Sequence, residues 1–284
     1  MRLPSYVVTL QCIDGPGIVR AATTAIVELH GNIVENDQFT DPMTNEFCMR
    51  TRFETSIDDV ERVRVTLAHE LDRFTPTLSV RSQEVRRRAL ILVSKFDHCL
   101  ADLLYRREQG DLALDIAAVV SNHPDCRDLA ARYSVPFHEV PVNPSNRDEA
   151  EEQLWSLVED YRVDFVVLAR YMQVLSPDLC AKLAGRAINI HHSFLPSFKG
   201  AKPYHQAHER GVKLIGATAH FVTVDLDEGP IIDQDVVRVS HARQPGELVA
   251  LGRDIERNVL SRAVRLVSED RVALVGKRTV IFSQ

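Results

Sequence analysis

The chain has 284 residues, of which 45% are hydrophobic and 26% charged, and its formal net charge at pH 7 is −6. This length accommodates one large domain or two ordinary ones, and the composition is that of a globular protein. An acidic balance argues against the basic face of a nucleic-acid-binding domain, and no apolar run approaches the roughly 20 residues of a membrane span. We therefore expect neither a nucleic acid nor a membrane as partner.

The cysteines are scattered along the chain and form no C-x-x-C pair. There are five of them, at positions 12, 48, 99, 126 and 180. This spacing indicates neither a zinc site nor a redox motif. An odd number without a disulfide framework is typical of a reducing compartment, and the N-terminus lacks the apolar segment of a signal peptide. We expect a cytoplasmic protein.

Strand and helix patterns over residues 1–83 follow the order βαββαβ. The predicted elements are a strand over 6–12, a helix over 18–29, strands over 33–40 and 47–54 joined as a hairpin, a helix that begins after Ser56, and a strand over 78–81. This order is that of a ferredoxin-like unit. We therefore predict a first domain over residues 1–83.

The turn after the first strand reads Asp14-Gly15-Pro16-Gly17-Ile18-Val19. We expect Asp14 or a neighbour to cap the helix that follows. With this turn, the unit resembles an ACT domain, a regulatory module that often binds amino acids between paired copies. The resemblance implies a homo-oligomer whose effector, with glycine and methionine as natural candidates, binds near Asp14, Gly15 and Gly17. A tight turn without a ligand is the alternative.

A different pattern begins at residue 87, where strands rich in Val, Ile and Leu alternate with helices. Strands are predicted over 89–93, 114–120, 136–140, 165–168, 187–191, 214–222 and 229–239, a long helix over 247–267, and a terminal hairpin over 272–275 and 279–282. Such alternation indicates a mostly parallel sheet covered on both faces. We predict an α/β protein whose second domain, residues 87–284, is Rossmann-like.

Polar residues end the predicted strand over 187–191, where α/β sheets handle ligands. Asn189 and His191 lie on one face of this strand, roughly 6 to 7 Å apart along it. A loop broken by prolines and glycine follows over 194–203, and a turn with several carboxylates lies at 225–230. An amide and an imidazole at this spacing can grip one small group.

These residues belong to four motifs that resemble, in order and spacing, the folate-dependent formyltransferase and formyl hydrolase superfamily. The motifs are Asn189-x-His191, Ser193-Phe-Leu-Pro196-Ser197-Phe-x-Gly200, Gly216-x-Thr218-x-His220-Phe-Val and Leu226-Asp227-x-Gly229-Pro230. The resemblance implies a catalytic trio of Asn189, His191 and Asp227. Singly, each of these residue types is more often a turn or packing residue. Their joint spacing favours the functional interpretation.

Attack on a formyl group places negative charge on its oxygen. Asn189 and a cationic His191 can donate hydrogen bonds to this oxygen, and such donors contribute roughly 3 kcal/mol each in other enzymes. Histidine side chains also transfer protons near neutral pH. Within the resemblance, Asp227 holds the attacking water and orients the imidazole, and we give His220 a supporting role in fixing Asp227.

The resemblance also implies a folate pocket before the short helix that Ser176 and Pro177 begin. By position, Gln173, Val174 and Leu175 would meet the pterin ring through backbone groups and apolar contact. An ordinary connection between a strand and a helix is the alternative for this segment.

The acceptor of the formyl group distinguishes branches of the superfamily. The glycinamide ribonucleotide transferase branch cradles a phosphate with a Gly-rich loop after its first strand, whereas residues 94–100 of this chain contain no glycine. The ACT-like unit in front resembles the deformylase branch. This implies hydrolysis of 10-formyltetrahydrofolate to tetrahydrofolate and formate in one-carbon and purine metabolism, without metal or cofactor. Formyl transfer to an amine such as glycinamide ribonucleotide is the alternative.

Two further hypotheses come from other classes. A metal-dependent hydrolase would use His205 and His208, which share a helix face, together with His191, His192, Asp225 and Asp227, although the pair lacks the H-E-x-x-H glutamate. A catalytically silent amino-acid sensor would bind folate without releasing formate. Chelation and a formate assay separate these hypotheses from the deformylase.

Overall fold

The computed structural model describes residues 3–195 and 203–282. The chain divides into two units, Met1–Arg86 with Glu269–Gln284 and Arg87–Ser268. The sequence interpretation placed residues 269–284 in the second domain, whereas the structure groups them with the first unit. Residues 196–202, which carry part of the second motif and of the predicted loop, lie outside the described residues.

The first unit has the predicted βαββαβ order and a four-stranded antiparallel sheet with strand order β2-β3-β1-β4. A short 3-10 turn, Asp72–Phe74, precedes the fourth strand. Its elements are β1 (Ser5–Ile13), α1 (Ile18–Glu28), β2 (Asn32–Asp41), β3 (Glu46–Glu54), α2 (Val60–Leu71), β4 (Thr77–Ser82), β12 (Val272–Val275) and β13 (Arg278–Ile281).

Helices α1 and α2 cover one face of this sheet. Helical spacing places Val63, Leu67 and Leu71 on a single stripe of α2, and all three are fully buried. They pack with alternate residues of β1, such as Val8 and Leu10, in one core. The predicted ferredoxin-like fold is therefore confirmed.

The start of α1 differs from the prediction. Its N-cap residue is Gly17, with a left-handed φ of 95° and no side-chain cap hydrogen bond. Asp14 instead accepts a hydrogen bond from Thr40 Oγ1 at 3.1 Å. The turn from Asp14 to Gly17 is too long for the Asp14 carboxylate to sit at the N-cap position.

The hairpin of β12 and β13 packs on the opposite face of the sheet. Cys48 forms a small apolar cluster there with Ala273, Val275 and Phe282, and Gln11 Nε2 donates to the carbonyl of Leu274 at 2.7 Å. Because strand residues alternate between faces, these sheet residues point away from α1 and α2. The hairpin therefore supplies the second cover of the sheet.

A buried arginine joins this hairpin to the sheet. Arg50 is 1% exposed and pairs with Glu35 at 2.8 Å, and Arg271 pairs with the same carboxylate at 2.9 Å. Arg50 Nε also donates to the carbonyl of Glu269 at 3.1 Å. Partial burial raises the pKa of Glu35, but the hydrogen bonds from Arg50 and Arg52 outweigh it and lower that pKa to about 2.

Glu35→Ala should lower the free energy of unfolding of the first unit by about 2 kcal/mol, because it leaves buried guanidinium groups without their shared carboxylate. Urea unfolding followed by circular dichroism measures this. The stabilisation is fully present above the carboxyl's ordinary pKa of 4.5 and is lost as pH falls toward about 2. The exposed Glu28→Ala should change stability by less than about 0.5 kcal/mol. Equal losses in both variants would contradict this assignment.

The second unit contains a seven-stranded sheet with strand order β11-β10-β9-β8-β5-β6-β7. Strands β5 to β9 are parallel, and β10 and β11 run antiparallel at one edge. The elements are β5 (Arg87–Val93), α3 (His98–Gln109), β6 (Leu114–Ser121), α4 (Arg127–Arg132), β7 (Phe137–Glu139), α5 (Arg147–Asp160), β8 (Phe165–Leu168), α6 (Pro177–Lys182), β9 (Ala187–His191), α7 (Pro203–Glu209), β10 (Leu214–Phe221), β11 (Ile231–Arg238) and α8 (Pro245–Ser268).

The apolar stretches of the central strands are buried, as their sequences predict, including residues 89–93 of β5. Every residue of β8 is buried, and Leu90 and Leu92 of β5 pack with it in one core. Ser176 caps α6 through a bond from the Leu179 amide, with Pro177 at the first helical position. Within the described residues, the helices are too short or too polar for a membrane crossing.

Candidate active site

Strands β9 and β10 bring the two predicted strand-end residues beside a third polar group. In their antiparallel register, His220 faces Asn189 and Thr218 faces His191. His191 is 5% exposed and His220 is 2% exposed. The pairing of two strands distant in sequence therefore gathers both imidazoles and the amide at one place.

The turn between β10 and β11 carries Asp227 to the same place. Asp227 adopts a left-handed φ of 57°, and a Cβ on Gly229 would lie 1.7 Å from the carbonyl oxygen of Phe221. The amide of Phe221 donates to the carbonyl of Pro230 at 2.9 Å, which closes the turn. A glycine is required at this close approach of two backbone segments.

Asp227 contacts both imidazoles. Its Oδ2 lies 3.2 Å from His191 Nδ1, and its Oδ1 lies 3.7 Å from His220 Nε2. Burial raises the pKa of Asp227, but the adjacent imidazoles of His191 and His220 outweigh it and hold that pKa well below its usual range. The Asp227 carboxylate is therefore ionised at neutral pH and fixes a proton on His191 Nδ1.

His220 stands closer to Asn189 than to Asp227. Its Nδ1 donates to the carbonyl of Phe221 at 2.8 Å, so Nε2 of the neutral ring is an acceptor. The Asn189 amide donates to that Nε2 at 3.2 Å. One of the two amide hydrogens is thus used, and no acceptor among the described residues takes the other.

His191 Nε2 is buried and has no hydrogen-bond partner among the described residues. Buried polar atoms of this kind are rare in native proteins. Because Nδ1 faces Asp227, Nε2 is the nitrogen that a substrate or a water molecule would meet. Asn189 and His191 both line a cavity.

A cavity of about 500 Å³ opens beside the trio. The three residues predicted to contact folate, Gln173, Val174 and Leu175, line it together with all members of the trio. Apolar side chains such as Val222 and Leu168 form much of the remaining wall. Ligand sites commonly combine an apolar wall with a few polar groups in this manner.

Sequence reasoning missed a charged network in the same cavity. Glu256 of α8 is 1% exposed and accepts hydrogen bonds from Tyr204 and His98 at 2.7 and 2.8 Å. Arg170 lies 3.4 Å from the same carboxylate and also contacts His192. The available signal was a glutamate on the apolar stripe of α8, between buried residues such as Ile255 and Val259.

The ligand set proposed for a metal-dependent hydrolase does not converge. Among the described residues, the His, Cys, Asp and Glu side chains close enough to share an ion are His98, Cys99 and Glu256, with ligand atoms within 4.8 Å. This group contains neither His205 nor His208. Arg170 and Tyr204 also occupy the Glu256 carboxylate.

The predicted effector residues lie in the first unit, apart in sequence from the trio. A Cβ on Gly15 would meet no atom within 4 Å, whereas one on Gly17 would lie 2.7 Å from the Arg73 guanidinium. Gly17 also has a left-handed φ of 95°. The two glycines therefore differ, because only Gly15 accepts a side chain without disturbing the turn.

Comparisons with known proteins agree with this geometry. The formyl transferase family model matches residues 87–264. A formyltetrahydrofolate deformylase of Corynebacterium sp. (strain P-1) is 48% identical over 279 residues, which cover 98% of each chain. The crystal structure of a Burkholderia mallei formyltetrahydrofolate deformylase superposes with a TM-score of 0.95 at 48% identity, covering 99% of this chain and 100% of that one.

A transferase is less similar. The crystal structure of glycinamide ribonucleotide transformylase 1 from Symbiobacterium toebii has a TM-score of 0.66 at 31% identity, covering 70% of this chain and 95% of that one. The similarity to the deformylases extends over both units. The chain therefore belongs to the formyltetrahydrofolate deformylases, a branch of the formyl transferase family.

Proposed function

We propose that this protein hydrolyses 10-formyltetrahydrofolate to tetrahydrofolate and formate, with Asn189, His191 and Asp227 as catalytic residues. The observation that carries the proposal is the buried His191 Nε2, which has no partner among the described residues and faces a cavity of about 500 Å³. Its other nitrogen is held by Asp227 at 3.2 Å. This arrangement leaves one nitrogen for proton transfer and fixes the ring.

The reaction follows from these contacts. A water molecule attacks the formyl carbon while His191 Nε2 accepts one of its protons. The free amide hydrogen of Asn189 donates to the developing oxyanion, and the Asp227 carboxylate stabilises the imidazolium. His191 then returns the proton to N10 as the bond between N10 and the formyl carbon breaks. Tetrahydrofolate and formate leave, and the second water proton passes to solvent.

In this proposal, His220 supports Asn189, because an Nε2 that accepts from the amide cannot also donate to Asp227. Its Nε2 accepts from the Asn189 amide at 3.2 Å and lies 3.7 Å from Asp227 Oδ1. The sequence interpretation assigned it to Asp227 alone. The shorter contact argues that its main role is to orient the amide toward the formyl oxygen.

The pterin ring of the substrate would lie against Gln173, Val174 and Leu175. These residues form one wall of the cavity beside the trio. Val174 is 56% exposed, which leaves its side chain available to a ligand, and Leu175 is buried beneath. A flat aromatic ring fits such a mixture of backbone groups and apolar side chains.

The side chains of residues 94–100 favour water as the acceptor of the formyl group. Ser94 donates to Asn122 at 2.6 Å, and His98 bonds Glu256 at 2.8 Å. The Arg170 guanidinium lies 5.5 Å from the centroid of the Phe96 ring. A loop filled by these side chains offers no glycine-lined cradle for the phosphate of a ribonucleotide acceptor.

A formate-release assay with 10-formyltetrahydrofolate tests the proposal. We expect formate to appear at a rate that added glycinamide ribonucleotide does not change, with no formylglycinamide ribonucleotide formed. That product at a rate comparable with formate release would instead assign a transferase. Folate binding without formate release would assign the silent sensor.

We further propose that the first unit is an ACT-like regulatory module of a homo-oligomer, with glycine or methionine bound near Asp14, Gly15 and Gly17. Support comes from the ferredoxin-like fold and from the open space around Gly15, where no atom lies within 4 Å of an added Cβ. The five buried free cysteines fit a reducing cytoplasm. We propose no metal or cofactor for the reaction.

Gly15→Val should abolish the response of turnover to glycine and methionine while leaving basal turnover unchanged. The new side chain enters the space that we assign to the effector, and its Cβ meets no atom within 4 Å. Titration of both amino acids against the wild type and the variant measures this, and typical couplings change affinity about 5- to 150-fold. If neither amino acid binds the wild type or alters its turnover, the unit serves assembly alone.

A further inference from the structure

A carboxylate is buried on the cavity side of helix α8. Glu256 is 1% exposed and lines the cavity beside the catalytic trio, yet the proposed reaction does not use it. An ionised carboxylate is retained at such a position only when it is paired. Its partners therefore indicate what it does.

Three side chains from three other segments converge on Glu256. Tyr204 of α7 donates to Oε1 at 2.7 Å, and His98 at the start of α3 lies 2.8 Å from Oε2. Arg170 Nε, just after β8, lies 3.4 Å from the same Oε2. Burial raises the pKa of Glu256, but His98 and Arg170 outweigh it, and the net shift is downward. Glu256 is therefore an anion at neutral pH.

Helix α8 makes room for this network. Gly252 lies one turn before Glu256, and a Cβ there would approach the Tyr204 ring to 2.1 Å. The absence of a side chain lets the tyrosine ring reach across the helix to the carboxylate. The glycine at position 252 therefore permits the hydrogen bond between Tyr204 and Glu256.

Arg170 extends the network toward the trio. It adopts a left-handed φ of 66°, which is uncommon for a residue with a side chain. Its guanidinium donates to His192 Nδ1, so the proton of the neutral His192 ring is on Nε2. Burial, together with the charges of Arg170 and His191, lowers the pKa of His192 to about 4. His192 is therefore neutral at physiological pH.

The His192 ring stacks on the catalytic imidazole. The ring centroids of His191 and His192 lie 5.1 Å apart with an interplanar angle of 23°. A chain of contacts thus leads from Glu256 through Arg170 and His192 to His191. Without the carboxylate, the Arg170 charge beside this stack would oppose any positive charge on His191.

We propose that Glu256 is a positioning residue for the hydrolysis: it holds Arg170 against His192 and balances the guanidinium charge, so that His191 can take up a proton during the reaction. This role rests on the proposed function. Within residues 3–195 and 203–282, the charged and titratable groups around the imidazole pair are Arg170 after β8, Tyr204 on α7, His220 on β10, Asp227 in the turn between β10 and β11, and Glu256 on α8.

The test compares the pH dependence of formate release in the full-length wild type and in two variants, one of which removes an anion and the other a cation. Glu256→Gln leaves the Arg170 cation unbalanced, so kcat should fall about tenfold and the kinetic pKa should move to lower pH by roughly 0.5 unit or more. Arg170→Gln leaves the Glu256 anion unbalanced and should move that kinetic pKa to higher pH. The double variant should lie between them.

A matched control removes a carboxylate from the same helix away from the cavity. Glu247 is exposed and pairs with Arg243 at 2.9 Å. Glu247→Gln should keep the wild-type kcat and pH profile. A role for Glu256 limited to packing would lower activity at every pH without moving the profile. Thermal unfolding of each variant shows whether it is folded.

Histidine ring titration by NMR provides a second measurement that does not need activity. The His192 resonance should titrate at lower pH in Glu256→Gln and at higher pH in Arg170→Gln than in the wild type. Opposite shifts in both measurements support the inference. Shifts of the same sign, or none in either variant, would overturn it. Absence of formate release by the wild type would instead overturn the proposed function.

Discussion

Replacing any member of the trio should lower turnover at least about 100-fold while folate binding falls far less. His191→Ala removes the Nε2 that transfers the proton, Asn189→Ala removes the donor to the oxyanion, and Asp227→Asn removes the charge that stabilises the imidazolium. These substitutions also remove or weaken the contact of His191 with Asp227 at 3.2 Å and the hydrogen bond between Asn189 and His220 at 3.2 Å. Steady-state formate release and folate titration measure the two effects.

A histidine outside the trio is the matched control. His208 is exposed and does not line the cavity, so His208→Ala should retain wild-type turnover. This control also tests the metal-dependent hydrolase, which needs that side chain as a ligand. Near wild-type turnover in His191→Ala, Asn189→Ala or Asp227→Asn would remove the substituted residue from the mechanism.

Gly229→Ala should also reduce turnover at least about 100-fold, although residue 229 has no functional group. A Cβ there would lie 1.7 Å from the Phe221 carbonyl oxygen, so the backbone must move. The turn that moves carries Asp227, and displacements of about 1 Å in catalytic geometry commonly reduce rates about 100-fold. Formate release together with the circular dichroism spectrum measures this loss in a folded protein.

The control for this substitution is another glycine in the same unit. A Cβ on Gly246 would meet no atom within 4 Å, and this residue lies in the first turn of α8. Gly246→Ala should therefore leave turnover unchanged. Wild-type turnover in Gly229→Ala would show that the closed turn is not needed to place Asp227.

The sequence alone was sufficient for the element order, and its motifs led to the trio that we propose as catalytic. Both depend on local patterns: strand and helix periodicity, and short motifs around Asn189 and Asp227. It also indicated the cap at Ser176, because a cap is made by neighbours in the chain. Interactions between residues close in sequence can be predicted from residue type and spacing.

The tertiary structure alone decided which distant residues meet. Residues 269–284 follow the second unit in sequence but belong to the first. Arg50 donates to the carbonyl of Glu269, and Cys48 packs against apolar side chains of the terminal hairpin. His220 faces Asn189 through the register of β9 and β10.

Glu256 shows the same limit. Its position on the apolar stripe of α8 was visible in the sequence, whereas its partners Arg170 and Tyr204 lie 86 and 52 positions away. Buried charges pair through packing rather than through spacing along the chain, so a sequence pattern identifies the unusual residue but not its partner. The sequence therefore led to the trio that we propose as catalytic, whereas only the fold decided which groups surround Glu256.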